Sequence, residues 1–195
     1  RKEDLELLYE QLDTLKDDDV LVLAGSIPSG MPQSIYRDIM SRLQSKRIKI
    51  AVDATKDLLM NVLAYHPFVI KPNNHELSEI FDIMIDSKEK AVVYAKELQK
   101  KGAQNVIVSM AGEGAVFVGS DGSVFTSEAP HGVVKNSVGA GDSMVAGFLA
   151  GYLAKGDYAE AFKMGLCTGS ASAFSDQLAT REEVEQVRRS HIFDF

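Results

Sequence analysis

The chain has 195 residues, 45% apolar and 25% charged, which can bury one sizeable core and is most simply counted as one domain, 1–195. Its net charge of −7, without a Lys/Arg cluster or an aromatic-basic stripe, argues against a nucleic-acid surface. Apolar stretches such as Val20–Ala24 and Val145–Ala150 are far too short to span a bilayer, and a single cysteine, Cys167, excludes an internal disulfide framework and fits a reducing cytoplasm.

The chain opens on a charged, helix-forming segment, Arg1–Glu10, rather than a secretory signal. Leu5, Leu8, Leu12 and Leu15 recur at helical spacing and predict a first helix. Val20–Ala24 then reads as a buried parallel strand, broken by Gly25-Ser26-Ile27-Pro28-Ser29-Gly30, with Pro32 suited to the first turn of the next helix. Ile48–Val52, ending at Asp53, and Phe68–Ile70, ending at Lys71-Pro72, are the next strands. A helix is expected from about Asn74, another over Lys88–Lys101, and a strand over Asn105–Ser109. Ala115–Val118 and Ser123–Thr126 flank Gly119-Ser120-Asp121-Gly122 and read as an antiparallel hairpin. Two helices close the pattern, Ala140–Ala154 and Tyr158–Phe174. In the second, Ala161, Gly165, Gly169, Ala171 and Ala173 fit close helix packing, or a wall against a flat ligand. Cys167 lies among these small residues and reads as packing, not as a nucleophile.

Alternating strands and helices predict a mostly parallel sheet covered on both faces. In that architecture ligands lie at the carboxyl ends of the strands. Those ends carry Gly25-Ser26, Asp53, Lys71 with Asn73 and Glu76, and Ser109 with Gly112 and Gly114. The fifth, Asn136-Ser137-Val138-Gly139-Ala140-Gly141-Asp142, opens directly into an apolar helical run. Its small residues let a ligand approach the backbone, and the helix behind it favours an anion. An acid beside a phosphate nest is repelled by the phosphate, so Asp142 is better explained as a base for the attacking group. This points to phosphoryl transfer to a hydroxyl. A strand-to-helix turn with Asp142 as a capping charge accounts for the same residues. Met144 stands where a dinucleotide fingerprint needs a third glycine, and the P-loop pattern is absent.

Five segments in register resemble the ribokinase-like family of sugar kinases: Ala24–Pro28, Val52–Thr55, Lys71–Leu77, Val108–Ala115 and Gly139–Ser143. The resemblance implies a three-layer α/β/α fold with a mostly parallel sheet and a C-terminal antiparallel hairpin. It implies ATP and Mg²⁺ as cofactors and a phosphosugar as acceptor. The expected reaction phosphorylates the 6-hydroxyl of fructose 1-phosphate; tagatose 6-phosphate is the alternative acceptor, and a non-catalytic nucleotide-binding module the alternative class. Asp142 would take the hydroxyl proton, and Gly139, Ala140 and Gly141 would offer N–H groups to the transferred phosphoryl.

Asn73 and Glu76 match the family's Asn-x-x-Glu element, implying contact with Mg²⁺, through water, and with the nucleotide phosphates. A helix cap is the other reading of this pair. Lys71 would reach a phosphate, or be an ordinary exposed lysine. Ser109, Met110, Ala111, Gly112, Glu113 and Gly114 match the nucleotide loop, but Ala111 stands where the family has a glycine. If Ala111 takes positive φ it is strained; otherwise Gly112 relocates the turn. The adenine would lie between this loop and the helix carrying Cys167-Thr168-Gly169. Ser26 and Asp53 would face the acceptor, or Asp53 would be a structural cap. Family members carry more chain ahead of the matched segments, so this sequence is expected to be the C-terminal, nucleotide-binding and catalytic part of a longer kinase. Alone, it is expected to bind ATP weakly. No nucleic-acid or membrane partner is expected, and a homo-oligomer is compatible with the sequence.

Overall fold

Among the residues that the computed structural model describes, 2–195, six strands form one sheet in chain order. They are β1 (Val20–Ala24), β2 (Lys49–Asp53), β3 (Val69–Ile70), β4 (Asn105–Ser109), β5 (Ala115–Val118) and β6 (Val124–Ser127). The first four are parallel; β5 and β6 add antiparallel. The helices are α1 (Lys2–Asp13), α2 (Ile35–Leu43), α3 (Lys56–Met60), α4 (Asn74–Phe81), α5 (Lys88–Lys100), α6 (Ala140–Lys155), α7 (Tyr158–Phe174) and α8 (Arg181–Ser190).

Alternation along the strands sorts side chains into two cores, because successive residues point to opposite faces. Leu23, Val52, Ile70, Val106, Val108 and Val116 join Ile39, Leu43, Leu77 and Leu98 of the earlier helices. Ala51, Val69, Ile107 and Phe117 join Phe148 of α6 and Phe162 and Leu166 of α7. The sheet is therefore the middle of three layers, as the sequence predicts. Phe117, fully buried, packs its ring against Phe125, Phe148, Tyr158 and Phe162. Such burial contributes roughly 1.5–3 kcal/mol.

Glycines bring α6 and α7 into backbone contact. A Cβ at Gly147 would meet Thr168 Oγ1 at 2.5 Å, and one at Gly165 would meet the Met144 carbonyl at 2.9 Å. Close packing is thus one use of the small-residue stripe. Cys167 is buried, and burial pushes its thiol pKa up to about 12, which leaves it an inert packing group.

Several boundaries differ from the sequence expectation. α2 starts at Ile35, because Pro32 initiates a separate turn in which the Ile35 N–H donates to the Pro32 carbonyl at 3.0 Å. β6 starts at Val124, since the Ser123 carbonyl accepts from the Gly119 N–H at 2.8 Å and Ser123 belongs to the hairpin turn. The short α3 and the longer α8 are additions. α8 announced itself through a capping box: Thr180 accepts from the Glu183 N–H, and Glu183 accepts from the Thr180 N–H. No helix among the described residues is long and apolar enough to cross a membrane.

After α8 the chain returns to the hairpin. Phe195 packs on Phe125 and Phe162 at centroid distances of 4.8 and 5.5 Å, and His191 Nε2 lies 3.1 Å from Ser127 Oγ. Burial lowers the His191 pKa and neighbouring His131 adds to the lowering, while Asp194 and Glu128 oppose it. A histidine lowered in the folded state contributes stability above its ordinary value, about 6.5, and loses it as pH falls through the lowered value. The melting temperature is therefore expected to drop on acidification below about pH 6.5. His191→Gln should flatten that dependence in a series of thermal melts; an unchanged slope would assign it to other groups.

Candidate phosphoryl-transfer site

The parallel register sets the carboxyl ends of the strands side by side. Ala24 is paired with Asp53, Val52 with Ile70, and Asn73 with Ser109 across an isolated bridge. The turn after β1 is held from two sides: the Gly25 N–H donates to the Asp53 carbonyl at 3.1 Å, and the Tyr36 hydroxyl reaches the carbonyls of Ala24 and Gly25 at 2.7 and 3.1 Å. Ser26 lies exposed on this turn. Tyr36, which the sequence reading missed, carries a pKa raised by burial and by the Asp53 charge.

At the next two strand ends, Lys71 Nζ stands 3.3 Å from Asp53 Oδ2, with side-chain exposures of 7% and 19%. Lys71 is thus a buried ion-pair member, not an ordinary exposed lysine. The Asp53 pKa is raised: burial is the largest cause, the Lys71 charge and hydrogen bond oppose it, and Asp142 adds to the rise.

The first turn of α6 comes down on this pair. A Cβ at Gly141 would lie 3.1 Å from Lys71 Nζ. Gly139, at φ +78°, takes the N-cap position and leaves the helix without a side-chain cap. The Ala140 N–H turns back to the Ser137 carbonyl at 3.2 Å. That corrects the expectation that Ala140 offers its N–H; the amides without a partner among the described residues are those of Gly139, Gly141 and Asp142. They converge where the helix dipole is positive. The Asp142 side chain is exposed at this rim and makes no capping bond, while its place in the first turn still suits a capping charge.

Asn73 and Glu76 do form a cap. Asn73 Oδ1 accepts from the Glu76 N–H, and Glu76 Oε2 accepts from the Asn73 N–H, each at 2.8 Å. This leaves one Glu76 oxygen without a protein partner. Among the described residues there is no cluster of three or more His, Cys, Asp or Glu side chains able to hold a metal. A Mg²⁺ ion does not require one, since it keeps several waters and binds substrate phosphates.

In the loop after β4, Ala111 adopts φ +48°, so the alanine itself occupies the left-handed position rather than passing it to Gly112. This costs about 1–2 kcal/mol. Ser109, Ala111, Gly112 and Gly114 line a cleft of about 640 Å³ together with Asn73, Ala140 and Gly141. Met110 is buried behind it and Glu113 is exposed; neither lines the cleft. The cleft is also lined by Leu166, Gly169, Ser170 and Ala173 of α7, at helical spacing, and by Ala129, Pro130, His131, Gly132 and Val134. Gly169 faces this space, whereas Cys167 packs towards α8 and Thr168 towards Gly147. The small residues of α7 therefore serve both readings, packing and cleft wall. The 129–134 wall escaped the sequence reading because it carries no periodic pattern; its Pro130-His131-Gly132 break was the available signal.

The sequence pattern of the pfkB family of carbohydrate kinases matches residues 1–183. The 1-phosphofructokinase of Bacillus subtilis is 44% identical over 95% of this chain and 61% of its own length. The D-tagatose-1-phosphate kinase of Bacillus licheniformis is 30% identical, over 85% of this chain and 55% of its own. A solved structure described as a phosphofructokinase of Staphylococcus aureus superposes with a TM-score of 0.90 at 37% identity, covering 95% of this chain and 60% of that one. The chain thus spans about three fifths of the length of the relatives it matches.

Proposed function

Since the chain belongs to the pfkB family of carbohydrate kinases, we propose that it is the nucleotide-binding, base-bearing part of a kinase that phosphorylates fructose 1-phosphate at its 6-hydroxyl. The observation that carries this reading is the uncapped first turn of α6, whose Ala140 and Gly141 line the cleft, with unpartnered amides beside the exposed Asp142 carboxylate. The similarity to a 1-phosphofructokinase supports the acceptor.

In this reading ATP lies in the cleft between the Ser109–Gly114 loop and α7, its terminal phosphate towards α6. Asp142 accepts the proton of the 6-hydroxyl as that oxygen bonds to phosphorus, and the bond to the ADP oxygen breaks. The N–H groups of Gly139, Gly141 and Asp142 stabilise the charge on the phosphoryl oxygens. Phosphoryl transfer asks for this kind of positioning and electrostatic stabilisation rather than covalent chemistry. Mg²⁺, when bound, would neutralise phosphate charge; Glu76, through its free oxygen and water, and Asn73 are the residues that would hold it. The acceptor would lie on the Ser26 side. ATP as donor supports a cytoplasmic setting for the reaction.

The relative named for tagatose takes, by name, tagatose 1-phosphate, so this phosphosugar is weighed beside tagatose 6-phosphate as the second acceptor. A panel of phosphosugars with ATP and Mg²⁺ tests both, using a polypeptide that contains these 195 residues. Fructose 1-phosphate is expected to show the highest kcat/KM; failure of every phosphosugar would leave a nucleotide-binding module.

A further inference from the structure

A buried lysine beneath the first turn of a helix is not an arrangement that stability alone selects. Lys71 is 6% exposed, and its ammonium lies against Gly141, where the α6 dipole is also positive. Like signs meet there, and the ammonium has given up its water. Its charged partner is Asp53, 3.3 Å away at the end of the neighbouring strand. The other groups facing Asp53 are Asp142 from α6 and Tyr36 from α2. Gly141 has no side chain to crowd the ammonium, and its φ is not left-handed, so its missing Cβ leaves room for Lys71.

We propose that Asp53 is a positioning residue, the resident counter-ion that holds the Lys71 ammonium under the α6 turn until a ligand phosphate arrives to share it. This rests on the reading of that turn as the phosphoryl site, and it moves Asp53 from acceptor contact to support of Lys71. The ammonium lies against Gly141, the neighbour of Asp142 in the chain, and Asp53 feels the Asp142 charge, so a charge held there acts on a phosphate that the α6 amides meet.

Thermal melts of the 195-residue chain with and without inorganic tripolyphosphate test this. Asp53→Asn is expected to melt several degrees below the parent, since it strands a buried ammonium. Tripolyphosphate should restore much of that loss, giving a larger ligand-induced shift than in the parent. Lys71→Met should abolish the shift. Should Asp53→Asn fail to fold, the Asp53→Asn/Lys71→Met double variant decides, because removing the lysine removes the need for its counter-ion. That variant is expected to fold and to ignore tripolyphosphate. The proposal is overturned if Asp53→Asn melts and responds like the parent, if Lys71→Met keeps the full shift, if the parent shows no shift, or if the double variant also fails to fold. The phosphosugar panel is read independently. Activity there without a tripolyphosphate shift would sink the Asp53 assignment alone.

Discussion

Asp142→Asn is expected to lower phosphoryl transfer by about 10²–10⁴-fold while leaving nucleotide affinity within a small factor of the parent, since a positioned base contributes on that scale. The substitution keeps the side chain's size and its exposed position at the α6 rim, so the cleft and the amides of Gly139 and Gly141 stay as they are. Only the ability to accept the hydroxyl proton is removed. The amides matter on a comparable scale, on the order of 10²–10³-fold for one donor of a preorganised anion hole. Base and amides therefore share the rate enhancement. Steady-state kinetics and a nucleotide-binding isotherm on the same protein separate the two. Unchanged turnover would remove Asp142 from the mechanism, and a parallel loss of affinity would recast it as a binding residue.

Gly114→Ala should be the most damaging single-methyl change in the site region. Gly114 has φ +90°, and a Cβ there would lie 2.0 Å from the Ser127 carbonyl oxygen and 2.6 Å from the Glu128 carbonyl carbon. Those are backbone atoms, which cannot rotate away as a side-chain tip can. Backbone strain and overpacking together predict a loss of roughly 2–6 kcal/mol. At about 2–4 °C per kcal/mol for a chain of this size, the melting temperature should fall by on the order of 10 °C. Nucleotide affinity should fall with it, because Glu128 and Ala129 line the cleft. A calorimetric melt within a degree of the parent would show that the hairpin yields freely at this point.

Much of this was legible in the residues. Val20–Ala24, Asn105–Ser109 and Ala115–Val118 are continuous apolar runs because both faces of the sheet are covered, and the structure keeps their boundaries unchanged. Tyr158–Phe174 likewise matched, bounded by Asp157, whose side chain caps the helix. The candidate site was legible as a set of strand ends, because a parallel sheet can present only that edge to a ligand. What escaped has a common cause. Tyr36 matters through hydrogen bonds to carbonyls 11 and 12 residues away, and no local spacing reports such a contact. Asn73 and Glu76 fitted both a cap and a metal contact; the capping box is present, and it leaves one carboxylate oxygen over.

Chain order, apolar periodicity and turn residues by themselves determined the layers, the direction of the sheet and the edge that meets the ligand, because these follow from short-range sterics and from which faces must be buried. Tertiary structure alone decided the partners of the charges. That Lys71 is buried against Asp53, that Gly141 makes room for it, and that Ala140 spends its N–H on Ser137 while Asp142 stays exposed depend on distances between segments far apart in the chain. Electrostatic interactions are set by separation and burial, and neither is encoded at any single position.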